Sequence, residues 1–220
     1  MSTEDNNQVP DIPKEIDHLT RQKVVRQLHD GLTQTVSALA MRINFARRLM
    51  ATDPEAASAE LEKVEDLTRE ATKEIRHIIY LLRPESRENT NLILELESLA
   101  EKMHKLFEVE IKLDIDQDLV DQLPEDVQQV VYALIEEGID SARKVRDAPE
   151  LLVSLKQAEN QLVELSFQDR AASGANEPAF EGLELENFQT YASLIDGSVI
   201  VDQDGNLLRV LFPLQQNVVK

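Results

Sequence analysis

Apolar residues between Pro13 and Met50 fall at Val25, Leu28, Leu32, Val36, Leu39, Ile43, Ala46 and Met50. Steps of three and four are the period of one face of an α-helix. Thr52-Asp53-Pro54 breaks the pattern, with Asp53 suited to cap a new helix and Pro54 to open it. A second stripe, Leu61, Val64, Leu67, Ala71, Ile75, Ile78 and Leu82, runs up to Arg83-Pro84, where proline ends it. Two long helices joined by a short turn predict a helical hairpin. A lone hairpin leaves part of both stripes in water, whereas two hairpins bury them as a four-helix bundle. The pattern therefore predicts a homodimer.

The texture changes after a polar stretch, residues 85–91, that reads as a linker. Residues 92–107 have helical spacing, and residues 109–115 alternate apolar and polar positions as a strand does. Pro124 opens a further helix through Val127, Val130, Val131, Leu134 and Ile135. Strand-like segments follow at residues 151–155, 162–167, 198–201 and 207–212, with a helix over 184–195 and a hairpin-turn signal at Asp204-Gly205-Asn206. The fold class is α+β. It comprises a flexible tail over residues 1–12, a helical domain over 13–84, the linker, and an α/β sandwich with a largely antiparallel sheet over 92–216.

Composition narrows the function classes. A chain of 220 residues with 42% apolar content has room for two small cores. Cysteine is absent, which excludes disulfides, thiol catalysis and cysteine-based zinc sites. No apolar run approaches the ~20 residues that span a bilayer, and the polar, acidic N-terminus lacks the features of a signal peptide. A cytoplasmic protein is expected. The formal charge of −19 is uneven: residues 1–90 carry −3 and residues 91–220 carry −16. Such a field repels nucleic acid and anionic membranes, and it works against capture of a polyanion such as ATP.

Candidate chemistry sits on the first helix, in Arg26-Gln27-Leu28-His29-Asp30-Gly31-Leu32-Thr33-Gln34. At about 100° per residue, His29 lies one step round from Leu28, at the edge of the apolar stripe, where a partner protein can reach it. Thr33 follows on that edge. Asp30 and Gln34 are i,i+4 neighbours on the adjoining face, and Arg26 can pair with Asp30 at the same spacing. An unprotonated imidazole nitrogen can attack a phosphoryl group, and a neighbouring carboxylate can fix its tautomer and take the proton. Hydrolysing an aspartyl phosphate on a partner instead needs a side chain that orients water, which the Gln34 amide can do. His18, His77 and His104 have no metal-ligand spacing and are expected as ordinary surface or boundary residues, with no metal site.

Leu28-His29-Asp30-Gly31-Leu32-Thr33-Gln34, followed a helix later by Glu74-Ile75-Arg76-His77-Ile78-Ile79-Tyr80-Leu81-Leu82-Arg83-Pro84, carries a family likeness. It resembles the dimerisation and phosphoacceptor domain of sensor histidine kinases of the nitrate-sensor and desaturase-sensor type, over residues 15–90. The resemblance implies that His29 is phosphorylated, that Asp30 is the base, and that Asp30 with Gln34 forms a phosphatase motif. It implies a response-regulator receiver domain as partner, bringing its own Mg²⁺.

The same resemblance implies a gyrase-like ATPase fold for residues 92–216, but with altered nucleotide motifs. Glu137-Gly138-Ile139-Asp140-Ser141 keeps the glutamate of a helix motif whose asparagine ligates Mg²⁺; that position is Ser141, and Val145 replaces a histidine. Asp140 could offer an oxygen, but about 100° away round the helix. Asp169 matches the aspartate that receives adenine, while Ala171 and Ser173 stand at the glycines that follow it, and Gly174 could compensate only with a shifted loop. Gly182-Leu183-Glu184 retains one glycine of a phosphate-facing turn and places a carboxylate where phosphates would approach a helix N-terminus. Glu137, Asp169 and Gly182 are thus remnants of an ATP site, and no cofactor is expected. The expected function is a phosphorelay or response-regulator phosphatase protein of kinase ancestry. Two alternatives stand beside it: an active sensor kinase with a diverged ATP site, and a non-catalytic dimeric adaptor.

Overall fold

The structure, a computed structural model, describes residues 11–82, 91–145, 150–170, 180 and 185–214, with Asp30 and Tyr80 described in backbone alone. The expected linker apart from Asn91, the loop after Arg170 with its Ala171, Ser173 and Gly174, and the remnant Gly182 lie outside the described residues. The chain divides into two compact units, residues 17–86 and residues 87–220 together with those before 17.

In the helical unit, α1 (Ile12–Arg26) passes through a π turn (Gln27–Leu32) into α2 (Thr33–Leu49). Arg26 and Thr33, on either side of the turn, both keep right-handed helical backbone, so the helix continues through it. The return helix α3 (Pro54–Leu81) is capped by Asp53, whose carboxylate accepts the Ala56 N–H at 3.0 Å. It lies antiparallel against α2, and Arg42 of α2 donates to Glu60 of α3 at 2.8 Å.

Each expected apolar stripe is divided. Ala46 and Ile78 are buried and Leu39, Val64 and Leu67 half-buried, while Val25, Val36, Ile43, Met50, Leu61, Ile75 and Leu82 remain exposed. The stripes are wide enough to serve two contacts, and one hairpin covers only one of them. His77 is a correction: expected near the surface, it is fully buried. It falls on the hairpin-facing phase of α3, which runs Ala57, Glu60, Val64, Leu67, Ala71, Glu74, His77, Ile78 and Leu81.

The second unit is a two-layer α+β sandwich. Its elements are α4 (Leu92–Phe107), β1 (Glu110–Ile115), α5 (Gln117–Val120), α6 (Glu125–Val145), β2 (Glu150–Gln157), β3 (Leu162–Asp169), α7 (Glu186–Ser193), β4 (Ser198–Val201) and β5 (Leu207–Pro213). The five strands are ordered β1-β2-β3-β5-β4, with β1 and β2 parallel and every other pair antiparallel. Strict alternation in β2, β3 and β5 buries Leu151, Val153, Leu155, Val163, Leu165, Phe167, Leu208, Val210 and Phe212 on one face. The apolar faces of α4, α6 and α7 complete that core through residues such as Leu99, Met103, Leu134, Ile135 and Phe188. The short helix α5, capped by Asp116, was not anticipated.

Candidate functional site

The helical unit carries His29 inside the π turn. His29 and Gln34 are both exposed, and Asp30 lies in the backbone of the same turn. An open groove of about 500 Å³ runs along α1 to His29, lined by His18, Arg21, Gln22, Val25, Arg26 and His29. These residues are spaced by one and three and form one stripe of the helix. Arg21 is paired with Asp17 at 3.0 Å, and the Gln22 amide meets the His18 ring at 2.8 Å. Arg21 and Arg26 beside an exposed imidazole offer guanidinium donors to an anionic group approaching His29.

In the second unit the remnant positions are buried. Glu137 is 6% exposed, Ser141 7%, Asp169 4% and Asp140 0%. Asn187 of α7 donates to Glu137 at 3.0 Å, bridging two helices. Asp140 is held by ion pairs within its own helix: Arg143 reaches one carboxylate oxygen at 2.6 Å, and Lys144 reaches the other at 2.8 Å. The Arg143 guanidinium also lies 4.2 Å over the Phe107 ring of α4. Asp169 ends β3, and its N–H donates to the Asn206 carbonyl at 3.0 Å.

The histidine kinase family profile matches residues 20–87, the hairpin that carries His29. Residues 20–87 belong to the histidine kinase family. Similarity to curated proteins extends over most of the chain. An uncharacterized sensor-like histidine kinase of Chloroflexus aurantiacus is 26% identical over 206 residues, covering 89% of this chain and 34% of that protein. The sensor histidine kinase DesK of Bacillus subtilis is 22% identical over 198 residues, covering 88% and 50% respectively. The oxygen sensor histidine kinase NreB of Staphylococcus carnosus is 21% identical over 187 residues, covering 84% and 53%. The chain spans between about a third and a half of the length of these curated relatives.

The chain thus joins a hairpin of the histidine kinase family to a two-layer α+β unit. Members of the family dimerise and work with response regulators. Among the described residues no helix is long and apolar enough to cross a membrane. Sequence reasoning missed three features of this histidine kinase relative. The pairing of Asp140 with Arg143 and Lys144 was open to it, because i,i+3 and i,i+4 neighbours meet on a helix. The Asn187–Glu137 bond, 50 residues apart, had no local signal. The π turn had none either, since its residues fit an ordinary amphipathic pattern.

Proposed function

We propose that this protein is a homodimeric, cytoplasmic two-component phosphotransfer protein that handles phosphate at His29 without charging itself from ATP. A receiver domain docks beside His29. It either passes its phosphoryl group to the imidazole, with Asp30 as the base, or loses it to water oriented by Gln34. The receiver's own aspartates and Mg²⁺ supply the electrostatic stabilisation. His29 and Gln34 lie on an exposed helix approached through an arginine-lined groove, which suits both reactions.

One observation carries the ATP-independent half of this reading. Where the family ligates Mg²⁺ through an asparagine amide, this chain has Ser141, and the adjacent Asp140 already binds Arg143 and Lys144 with both oxygens. A hydroxyl on a short side chain is a weak substitute for an amide oxygen toward a hard dication. The residues therefore do not fit Mg·ATP well, and the charge of −16 over residues 91–220 opposes it further. Burial of Glu137 and Asp169 at their family positions favours the second reading, an active kinase with a diverged site.

The deciding experiment incubates the full chain with a panel of phosphorylated receiver domains. Label moving to His29, or released as phosphate in a Gln34-dependent way, supports the proposal. A receiver that forms a stable complex and keeps its label in every case points to the adaptor instead.

A further inference from the structure

From Val24 to Ala46 the buried and half-buried positions described on the first helix run Val24, Gln27, Leu32, Thr35, Ala38, Leu39, Arg42 and Ala46. Among the described side chains, which leave out Asp30, only the step from Gln27 to Leu32 is five residues; every other is one, three or four. Hydroxyl bonds report the same break. Thr33 Oγ1 donates to the carbonyl of Leu28, five residues back, at 3.3 Å. Thr35 and Ser37 donate to Gly31 and Thr33, four residues back, both at 2.9 Å. One extra residue is therefore accommodated at the π turn, and the helix is regular on both sides.

Its consequence falls on His29 and Gln34, which are five apart. In a regular α-helix they would point about 140° away from each other. In a turn bonded i→i+5, residues five apart stack as residues four apart do in an α-helix. We infer that the π turn is a positioning device: it brings Gln34 onto the face of His29, so that the amide and the imidazole address one phosphoryl group, and Gly31 is the residue that lets the turn widen. A Cβ at Gly31 would meet nothing within 4 Å, so glycine is not required there for space. Its effect is on the backbone, since glycine weakens the competing regular α-helix more than any residue except proline. The alignment rests on the phosphate-handling reading of His29; the turn itself does not.

Two one-residue deletions in the full chain test the turn. Deleting Gly31 should leave a continuous α-helix with His29 and the former Gln34 four apart on one face, and a melting temperature unchanged or raised. Deleting Ala40 from regular α2 should rotate everything before it by about 100° and abolish the hairpin's melting transition. A Gly31 deletion as damaging as the Ala40 deletion overturns the inference. Phosphoramidate then tests the alignment. Its phosphoryl group passes to the imidazole nitrogen, and the displaced imidazole proton leaves with ammonia. Water later attacks phosphorus, the P–N bond breaks and the ring regains a proton. Gln34→Ala should change that decay by about fivefold, the rate equivalent of one hydrogen bond, in both wild type and the Gly31 deletion. An unchanged decay overturns the alignment. If His29 does not load, the phosphoacceptor reading fails, and the alignment is read from the NMR signals of the His29 ring. Gln34→Ala must shift those signals, and no shift overturns it.

Discussion

A methyl group on Gly138 would stand 2.3 Å from Cε1 of Phe167. The Phe167 ring meets Phe180 and Phe188 edge-on, with centroids 6.4 and 6.2 Å away, and all three rings are buried. Glycine on α6 is what admits so large a ring from β3. Gly138→Ala should therefore destabilise the second unit by about 1–3 kcal/mol through overpacking. Adding Phe167→Leu should recover part of that loss. Urea unfolding of the single and double variants checks it; additive losses would contradict the contact.

Asp140 should behave as a buried structural anion. Asp140→Asn leaves Arg143, itself nearly buried, without its carboxylate. The expected cost is about 3 kcal/mol, at the lower end for a broken buried pair because Lys144 stays half in water. Chemical denaturation measures it, and a loss below about 1 kcal/mol would place Asp140 outside the fold's support.

Much of the architecture was legible because it rests on local patterns. Alternation over residues 151–155 and 207–212 marked two strands that bury one face, and Asp53-Pro54 marked the start of α3. What stayed hidden depends on contacts between distant residues or on helix phase. Gln27, Thr35 and Arg42 line the covered side of the first helix, so polarity concealed that phase and with it the five-residue step. His77 was hidden for the same reason, as a polar residue on a covered face. His29 and Gln34 were legible as a motif, but their angular relation was not.

The hairpin should lose stability in acid. The Glu60 carboxylate is held below its usual range by hydrogen bonds from Lys63 and then Arg42. A depressed carboxylate stabilises the fold above its unfolded pKa, and that contribution is lost as pH falls through the folded value. The melting temperature should hold from neutrality to about pH 5 and fall below it, and Glu60→Gln should shrink the fall. An identical acid limb in the variant would contradict this.

The exposed half-stripes should form the dimer. Val36 and Ile43 lie on the uncovered side of α2, and Leu61 and Ile75 on that of α3. Ile43→Asp loses an apolar contact from each protomer, so dimer affinity should fall by about a hundredfold or more. Sedimentation equilibrium reads it directly. A wild-type chain that is monomeric at micromolar concentration would contradict the bundle.

Phosphate at His29 without ATP is the central claim. Its most direct test incubates the purified full chain with labelled ATP and Mg²⁺, alongside a His29→Ala control. The account expects no acid-labile, base-stable label on either protein. Such label on wild type, absent from His29→Ala, would contradict it and make the chain a working autokinase.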